Sequence, residues 1–528
     1  MAEEVWMLQT KKADFKQIGA RFRIDPVTAR IIRNRGIEGE AAIDRYLNGT
    51  LDDLYDPMLL KDMERAVSIL CEAVDTGKKI RIVGDYDIDG VCSTYILLQA
   101  FERLGSDVDF EIPDRIKDGY GINESIIEQA HADGVEVILT CDNGISAFHQ
   151  VELAKKYGMT VVITDHHEVP LDGEKEKIPP ADAVIDPKQA ARRGVPQMEW
   201  LDLLEFAAIA TVGDVMKLQD ENRILVKYGL KKMAQTKNLG LRRLAEKNNL
   251  DLGAITAYHI GFVIGPCLNA GGRLKTAKEA LALLRAQSEE EAERLAEELK
   301  ELNDTRKDMT EQGTEAAKLQ VESWYQKDKV LVIFLPECHE SLAGIIAGRL
   351  REYYQKPAIV LTRGEEMVKG SGRSIDEYHM FKKLTEVSDL LLKFGGHPLA
   401  AGLSLEEKNI DEFRRRLNEN AGLTEEDFKA KVWIDVPMTE RLVRELSCLE
   451  PFGQGNEKPL FAEKSLRIRA SRVLGRNRNV VKMTLEETDG HAIEALYFGD
   501  GTAFEEERAG RREIDVVYYP DINEYNGR

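Results

Sequence analysis

Short apolar runs alternate with helical patterns from about residue 78 onward. The runs are KKIRIVGDYD, VDFEIPDR, VEVILTCDNG, MTVVITDHHE and ADAVIDP. Alternation of this kind is typical of βαβ units, in which successive strands lie parallel and helices cover the sheet. We therefore predict an α/β domain with a mostly parallel sheet over residues 71–287.

A charged, helix-prone stretch separates this region from a second alternating one. Leu295, Leu299 and Leu302 recur within it at i, i+4 and i+7, which predicts a long connecting helix over residues 288–327. The strand-like runs KVLVIFLPE and PAIVLTRG then flank the helical stretch AGIIAGRLREYYQ. This pattern indicates a second, smaller α/β domain over residues 328–425.

The two ends of the chain show different secondary-structure patterns. Residues 1–70 indicate a helical segment, in which FRIDPVTARIIRNRG and LDDLYDPMLLKDMERAVSIL are candidate helices between Pro and Gly breakers. Beyond residue 432, short strands and turns such as VWIDVPM, SLRIRASRVLG, VVKMTLEET, AIEALYFG and EIDVVYYPDI predict a small OB-like β-barrel over residues 432–528. We expect this barrel to be incomplete, because its last run stops at NEYNGR without a closing strand.

Composition and charge narrow the class of protein. The 528 residues are 43% hydrophobic and 31% charged, which is ordinary for a soluble globular protein, and no run of eighteen apolar residues offers a membrane span. The start lacks the apolar core of a secretory signal, and the six cysteines include no CxxC pair, so we expect a cytoplasmic protein with reduced thiols. The formal net charge of −20 argues against binding nucleic acid by bulk charge. Any phosphate substrate must be met by local arginines and by metal.

Carboxylates and imidazoles are concentrated where three predicted strands end. The residues are Asp85, Asp87 and Asp89 after IRIV, Asp142 after VILTC, and Asp165, His166 and His167 after VVIT. Because doubly wound sheets bind ligands beyond the carboxyl ends of their strands, we expect these side chains at one edge of the sheet. Asp214 in ATVGDVMKL follows an apolar helical stretch and is a candidate to close the cluster from the side.

Like charges gathered in this way need a compensating cation. Carboxylates with one or two imidazoles and no thiolate suit Mn²⁺ or Mg²⁺, and the number of ligands suits two ions that share a bridging aspartate. We expect Asp142 to bridge, since it stands alone between the other two clusters. A dinuclear site about 3.5–4 Å across suits phosphodiester hydrolysis. A single aspartate after a strand is more often a helix N-cap, but three such strand ends at one edge favour a metal site.

Several motifs resemble those of a known family. DYDID, CDNG, TDHHE and GDVMKL, in this order, resemble the successive motifs of the DHH phosphoesterases, and SGRS at 371–374 with FGGH at 394–397 resemble that family's associated second domain. The stretches ENRILVKYGL, GPCLNAGGRL, CHESLAGIIAGRL, LEPFGQGNEKPLF and PVTARIIRNRG are similar to the single-strand-specific 5′ exonucleases of this family over nearly the whole chain. One departure is Cys267 in GPCLN, where many relatives carry Arg.

This resemblance implies a set of metal ligands and an activity. The ligands, which would also be the catalytic residues, are Asp85, Asp87, Asp89, Asp142, His166, His167 and Asp214. The two histidines are expected to divide their roles, one on metal and one polarising the scissile phosphate. The activity implied is 5′→3′ hydrolysis of single-stranded DNA to 5′ mononucleotides by a two-metal mechanism. The resemblance further implies roles in recombination and repair, with a single-strand-binding protein and a repair helicase as partners; we expect a monomer with no membrane partner.

Candidates for substrate contact lie on loops and turns around the expected site. In PDRIKDGYG an arginine is placed to grip phosphate and a tyrosine to stack a base, although a surface loop closed by two glycines is an equally good interpretation. In GSGRS a Gly-rich turn offers backbone N–H groups and a guanidinium to a phosphate, whereas a tight turn alone would also explain its glycines. The resemblance supports all four residues of these two stretches as substrate contacts and adds three others. One of the three, the histidine of FGGH, is expected to face the metals. The set is Arg115, Tyr120, Asn269, Arg273, Ser371, Arg373 and His397.

The stretch SLRIRASRVLGRNRNVVK concentrates positive charge in an acidic chain. A basic patch on a small barrel suits the binding of single strands by an OB-fold, although alternating arginines on a strand are usually a solvated face. The candidate DNA-binding residues are Arg469, Arg472, Arg476, Arg478 and Lys482.

Two other functions remain open at this point. A phosphoesterase acting on short oligoribonucleotides would use the same metals but would hardly need the barrel. A non-catalytic replication scaffold of the same superfamily would be expected to have lost metal ligands, and none is lost in this sequence.

Overall fold

The chain folds into two compact units. The computed structural model describes residues 4–9, 11–173, 175–189, 203–364, 367–434, 440–486 and 492–521. The larger unit is mainly Asn48–Ala430 with Pro451–Gly455, and the smaller unit comprises Glu4–Leu47, Lys431–Glu450 and Asn456–Arg528. The run NEYNGR, at which we expect the barrel to stop incomplete, lies outside the described residues.

The N-terminal part of the smaller unit is one strand and three helices. Its elements are β1 (Glu4–Leu8), α1 (Phe15–Phe22), α2 (Pro26–Asn34) and α3 (Glu40–Asn48). Asp14 and Asp25 cap α1 and α2 by accepting hydrogen bonds from the backbone N–H groups two or three residues ahead. The strand β1 is not part of the helical pattern that the sequence predicts here.

The larger unit begins with the predicted parallel α/β domain. Its elements are α4 (Met63–Asp75), β2 (Ile80–Val83), α5 (Ile88–Arg103), β3 (Val108–Glu111), α6 (Glu124–Ala132), β4 (Val137–Cys141), α7 (Phe148–Lys156), β5 (Thr160–Thr164), β6 (Leu171–Asp172), β7 (Lys175–Glu176) and β8 (Ala183–Ile185). Five strands pair in the order β3-β2-β4-β5-β8, all parallel. Alternate side chains of β4 enter two separate cores, Leu139 on one face and Ile138 on the other.

The strand order places a crevice between β2 and β4. From β2 the chain adds β3 on one side and then returns to add β4, β5 and β8 on the other side. Where the order reverses in this way, the connections after the two central strands diverge and leave room for a ligand beyond their carboxyl ends. Asp85 and Asp142 closely follow these two strands and therefore flank the crevice.

Helices connect this sheet to a second one. They are α8 (Leu204–Gly213), α9 (Asp220–Met233), α10 (Leu239–Lys247), α11 (Ala257–His259), α12 (Gly265–Leu274), α13 (Lys278–Arg285) and α14 (Glu289–Gln320), with π-helical turns at Ile260–Ile264 and Val321–Tyr325. The long helix α14 confirms the predicted connecting helix. Ser288 caps it by accepting from the N–H of Glu291, and Leu295 and Leu299 are buried.

The second sheet of the larger unit is mixed. Its region contains β9 (Leu331–Phe334), α15 (Ala343–Tyr354), β10 (Ala358–Arg363), β11 (Val368–Arg373), α16 (Met380–Thr385), β12 (Leu391–His397), β13 (Ala400–Leu405) and α17 (Ile410–Glu419). The strand order is β12-β13-β11-β10-β9, and β9 and β10 are the parallel pair. The predicted second α/β fold is confirmed.

The C-terminal part of the smaller unit is a curled antiparallel sheet. Its elements are β14 (Ala430–Ile434), α18 (Glu440–Glu445), β15 (Phe461–Leu474), β16 (Val480–Glu486), β17 (Ala492–Phe498), α19 (Gly501–Arg508) and β18 (Glu513–Tyr518). Four strands pair in the order β17-β16-β15-β18, and two irregularities in the 14-residue β15 bend it. This sheet agrees with the predicted OB-like fold. The run VWIDVPM, in contrast, contributes β14 to a separate pairing with β1, and α19 was not predicted.

None of the described helices is both long enough and apolar enough to cross a membrane.

We predict that Gly229→Ala destabilises the larger unit. A Cβ at Gly229, in the middle of α9, would overlap the Cβ of Ala208 and lie 2.7 Å from the carbonyl oxygen of Leu204, so α8 and α9 would have to separate. We expect a net loss of about 1–3 kcal/mol of unfolding free energy, measured by thermal or urea unfolding.

Gly348→Ala is the matched control, because Gly348 lies in the middle of α15 with no atom within 4 Å of the added Cβ. That change should be neutral or stabilise by about 0.5–1 kcal/mol. Equal effects of the two substitutions would contradict the tight contact between α8 and α9.

Candidate metal centre and cleft

The loop from β2 to α5 brings three carboxylates together within five residues. Asp85 is fully buried just after the strand, and Asp87 caps α5 by accepting from the N–H of Gly90. Asp89 follows in the first turn of the helix. Gly90 is required for this path, since a Cβ there would lie 2.6 Å from the carbonyl oxygen of Asp85.

Asp142 follows β4 in a left-handed backbone conformation. Its φ is +62°, which a non-glycine residue adopts only when the surroundings hold it there. The side-chain amide of the next residue, Asn143, donates to the carbonyl groups of Val83 and Cys141 and accepts from the N–H of Ile122. Asn143 thus ties the ends of β2 and β4 together. We did not select it from the sequence, although it stands in the CDNG motif.

His166 lies among three carboxylates that come from different elements. Its Nε2 is 3.0 Å from Asp142 Oδ1 and 3.5 Å from Asp89 Oδ2, and its Nδ1 is 3.7 Å from Asp214 Oδ2. Asp214 reaches this position from the C-terminal end of α8. The carboxylates of Asp142 and Asp89 accept hydrogen bonds from the protonated ring and so raise the pKa of His166.

His167 points to a different set of groups. Its Nδ1 is 2.7 Å from Asp165 Oδ1, and Asp165 also accepts from the N–H groups of Ile145 and His166. The Tyr120 hydroxyl lies 3.0 Å from the same ring nitrogen and donates to the Asp142 carbonyl group at 2.8 Å. Burial opposes ionisation of Asp165, but the hydrogen bond from His167 lowers its pKa. Asp165 therefore orients His167, a role that we did not assign to it from the sequence.

Donor atoms of seven side chains form three overlapping clusters. They are Asp85 with Asp87 and Asp142, Asp142 with His166 and His167, and Asp89 with His166 and Asp214, and within each cluster the donor atoms lie within 4.8 Å of one another. Asp142 and His166 each belong to two clusters. The structure thus brings together all seven residues that the sequence singles out as metal ligands.

The donor atoms fit a divalent cation. The Oδ2 atoms of Asp85 and Asp142 are buried and have no hydrogen-bond partner in the part of the chain that the structure describes. Burial, followed by the charges of Asp87 and Asp142, raises the pKa of Asp85 to about 8, and burial also raises the pKa of Asp89. Buried carboxylate oxygens without donors are costly for the protein alone, whereas they are the ligands that Mg²⁺ and Mn²⁺ prefer.

A cavity of about 840 Å³ lies beside this cluster, between the two sheets of the larger unit. Tyr86 and Arg115 line it from the first sheet, and Ser371 and Arg373 line it from β11 of the second. The Arg115 guanidinium stacks on the Tyr86 ring, 4.7 Å from its centroid. The cavity therefore begins at the residue between Asp85 and Asp87 and continues to the SGRS motif.

The arginines around the cavity lack carboxylate partners. The Nη1 of Arg273 donates to the Ser341 carbonyl group at 3.0 Å, and that of Arg373 donates to the Ser371 hydroxyl at 3.1 Å. No carboxylate of the described residues lies within 4 Å of either guanidinium. Burial, followed by the charges of Arg115 and Arg306, lowers the pKa of Arg273 to about 10. Such a set of unneutralised cations suits a phosphate-bearing ligand.

Three predicted contact residues do not line this cavity, and one of them, Tyr120, lies beside His167 instead. Asn269 lines a smaller cavity of about 200 Å³, together with Pro266, Arg273 and Arg306. His397 is exposed at the end of the edge strand β12, and its Nδ1 accepts from the N–H of Leu399. The structure does not bring His397 to the cavity or to the carboxylate clusters.

The predicted basic residues of the C-terminal sheet are only partly free. Arg469 pairs with Glu486, and Lys482 pairs with Glu494 at 2.8 Å. Arg478 donates to the Thr502 hydroxyl. Arg472 and Arg476 are exposed, and no carboxylate among the residues of this sheet that the structure describes is paired with them. Arg472 lies directly opposite Lys482 in the register, an unfavourable pairing of like charges.

Three parts of the chain match known protein families. Residues 79–240 match the DHH family, N-terminal domain, residues 327–422 match the DHHA1 domain, and residues 436–528 match the RecJ OB domain. The three matches follow one another in the order of the two sheets of the larger unit and the C-terminal sheet.

Similar proteins extend this likeness over the whole chain. The chain is 35% identical over 550 residues to the single-stranded-DNA-specific exonuclease RecJ of Bacillus subtilis (strain 168). This match covers 99% of this chain and 69% of that protein. Crystal structures of RecJ from Thermus thermophilus in complex with Mn²⁺ and with Mg²⁺ match with TM-scores of 0.83 and 0.77, at 28% and 27% identity. Both matches cover 99% of this chain, and they cover 77% and 76% of the Thermus chains. With three family matches in order and this identity along its length, the chain belongs to the RecJ family.

Proposed function

We propose that this chain is a metal-dependent exonuclease that acts on single-stranded DNA, with Mn²⁺ or Mg²⁺ as cofactor. The observation that carries the proposal is the set of overlapping clusters around Asp142, next to a cavity lined by arginines. Among the described residues, two of the buried carboxylate oxygens have no donor and the arginines have no carboxylate partner. The names of the RecJ relatives and the ions in the Thermus structures support the substrate and the cofactor.

The residues would hold two ions in the following way. Asp85, Asp87 and Asp142 would hold one, and Asp89, His166 and Asp214 the other. Asp142 Oδ1 also lies 3.0 Å from Nε2 of His166, a candidate ligand of the second ion, which supports our expectation that both ions would share Asp142. When bound, such a pair of ions supplies a nucleophile at neutral pH and neutralises charge on the scissile phosphate.

The remaining side chains position the strand. Asp165 fixes His167 through its Nδ1, so that the imidazole keeps one orientation beside Asp142 and can polarise the scissile phosphate. Arg115, Arg273 and Arg373 would hold backbone phosphates, with Ser371 beside them. Asn269 would contact the strand from the smaller cavity, and Tyr120 would stack a base. His397 lies outside both cavities, so only a strand long enough to extend beyond them would contact it.

The finer features of this function follow the family likeness. Degradation would run 5′→3′, give 5′ mononucleotides, and serve recombination and repair together with a single-strand-binding protein and a helicase. Within this proposal, residues 71–287 form the catalytic domain, 288–327 the connecting helix, 328–425 the second wall of the cleft and 432–528 the strand-binding domain.

End-labelled strands test the function directly. With Mn²⁺, the wild-type protein should release labelled mononucleotide at once from a 5′-labelled single-stranded DNA, but should release a 3′ label only after the strand is consumed. Duplex DNA and RNA of the same length should be poor substrates, and EDTA should stop the reaction. Immediate release of the 3′ label would contradict the polarity, and a preference for short RNA would favour the oligoribonucleotide phosphoesterase.

We predict that Asp142→Asn abolishes hydrolysis while the protein remains folded. The substitution removes a charge that two clusters share, so it should also remove the rise in melting temperature that Mn²⁺ gives the wild type. That rise corresponds to about 2.7 kcal/mol at a metal concentration a hundredfold above Kd. Asp172→Asn, at an exposed position of β6, is the control and should change neither property. Near-normal turnover of Asp142→Asn with Mn²⁺ would exclude a bridging role.

A different result is expected for the phosphate contact at Arg373. Arg373→Ala should weaken the binding of single strands and lower turnover, because a charge-assisted hydrogen bond contributes about 1.5–3 kcal/mol. Stabilisation by Mn²⁺ should remain as in the wild type. Arg363→Ala, on the neighbouring strand β10 and outside the lining of the cavity, is the matched control. Loss of the metal response in Arg373→Ala would indicate a structural role.

The arginines of the C-terminal sheet should contribute to the binding of long strands only. Arg472→Gln/Arg476→Gln should lower the slope of log affinity against log salt by up to about 1.4 for a long strand, since each neutralised phosphate contributes roughly 0.7. Binding of a trinucleotide should not change. Charge substitution is preferable to removal of residues 432–528, because that deletion would cut β14 and leave β1 without its partner. Equal affinity and salt slope of the wild type for a trinucleotide and a long strand would rule out this role of the sheet.

A further inference from the structure

Two aromatic side chains lie stacked on the surface of the larger unit. Tyr258 and Phe262 are 63% and 67% exposed, and their ring centroids are 4.7 Å apart with 25° between the ring planes. Two large rings that cover each other and are otherwise open to solvent are unusual in a soluble protein, where exposed apolar groups are normally scattered. A planar apolar partner would find a preformed face there.

The backbone holds the two rings outward. Phe262 lies within the π-helical turn Ile260–Ile264, between α11 and α12, and Ile260 and Ile264 are completely buried in the core. The buried pair and the exposed pair each have i, i+4 spacing, so they occupy opposite faces of the same turn. The two isoleucines therefore anchor the turn so that Tyr258 and Phe262 face outward. Isolated π-helical turns of this kind are frequent at functional sites.

The helical stretch that carries the two rings also lines the smaller cavity, through Gly261 and Gly265. Counting from Tyr258, the positions i+4 and i+8 are Phe262 and Pro266, and Pro266 lines the cavity with Asn269 and Arg273 further along the same helix. Gly213, the residue before the metal-ligand candidate Asp214, lines the cavity from α8. The rings and Arg273 thus lie on one helical stretch, and the cavity that this stretch lines reaches the residue before Asp214.

The charge at the end of this stripe identifies the kind of ligand. Arg273 and Arg306 both line the smaller cavity, and the described residues place no carboxylate within 4 Å of either guanidinium. The Nε of Arg306 donates to the side-chain oxygen of Asn303, and burial lowers the pKa of Arg306. Aromatic faces next to unneutralised arginines suit a chain that alternates flat bases with phosphates. An apolar protein segment would leave the two arginines without counter-charge.

We propose that Tyr258 and Phe262 form a stacking platform for bases of the single strand, while Arg273 and Arg306 hold phosphates further along the same strand. The platform rests on the proposed function, because it adds a base-binding subsite to the same cleft. Stacking is tolerant of sequence, since every base has a π-face. The platform therefore favours unpaired strands over duplex DNA without selecting a sequence.

Binding to strands with and without bases tests the platform. Full-length protein in EDTA would be titrated into two fluorescein-labelled 12-mers of equal charge, one of thymidine and one of abasic residues. The double variant Tyr258→Ala/Phe262→Ala should bind the thymidine strand about tenfold or more weakly, because stacking contributes about 1–3 kcal/mol per base and tenfold is 1.4 kcal/mol. Its affinity for the abasic strand should equal that of the wild type.

Two matched variants complete the experiment. Trp324→Ala removes a 72%-exposed ring from the other π-helical turn, Val321–Tyr325, where the neighbouring Tyr325 ring lies edge-on rather than stacked, and should leave both affinities unchanged. Tyr258→Phe/Phe262→Tyr keeps both rings and should bind like the wild type. With Mn²⁺, the double alanine variant should show a raised KM for thymidine strands and a kcat near that of the wild type.

The outcomes separate the platform from the proposed function. An unchanged Kd for the thymidine strand, or equal losses for the thymidine and abasic strands, would overturn the platform even though the wild type degrades DNA. If the wild type with Mn²⁺ degraded no single strand, the proposed function itself would fail, and the platform with it.

Discussion

The repulsion among buried carboxylates at the edge of the first sheet is the constraint on which the rest of the structure depends. Asp85 and Asp142 each keep an oxygen buried without a donor, and the pKa of Asp85 is raised to about 8 by burial and by its neighbours. Burying unpaired carboxylates costs several kcal/mol unless a cation compensates them. The fold nevertheless holds them rigidly, through the left-handed backbone at Asp142 and the amide of Asn143 that joins β2 to β4. The buried carboxylates thus lower the folding stability of the metal-free protein at the place where cations would bind.

The strand order explains why this cluster forms where it does. The strands β2 and β4 are neighbours at the point where the strand order reverses. Asp85 and Asp142, which follow these strands, therefore lie at the same crevice although they are far apart in sequence. His166 and His167, which follow β5, and Asp214, which follows α8, reach the same crevice from these two other elements. The second sheet faces the same crevice with Ser371 and Arg373 but contributes none of the seven donor side chains. The candidate metal ligands therefore all lie on one wall of the cleft, whereas the candidate phosphate contacts come from both walls.

Much of this arrangement could be predicted from the sequence, because it follows from short-range rules. Buried strands followed by Asp or His predicted the sheet and placed six of the seven donor side chains at its edge, and the family resemblance implied the full set with Asp214. The spacing of Leu295 and Leu299 predicted α14. The remainder depends on three-dimensional contacts. No local pattern shows that Asp165 would orient His167, that β14 would pair with β1 from the other end of the chain, or that His397 would lie exposed on an edge strand. The glycines of FGGH permit many paths, and only pairing with β13 fixes one.

The net charge of −20 is compatible with a nucleic-acid substrate because the free cations are local. Many arginines and lysines on the surface are paired, as Arg415 is with Glu412 and Glu419, and such groups add little long-range attraction at physiological salt. Arg273 and Arg373 lack such partners among the described residues and lie inside a cavity, where solvent screens them less. An acidic exterior disfavours non-specific coating of DNA, while the cleft still attracts a strand that can enter it. A duplex presents its bases paired and cannot place them on exposed rings, so the shape of the cleft and its charge favour the same unpaired substrate.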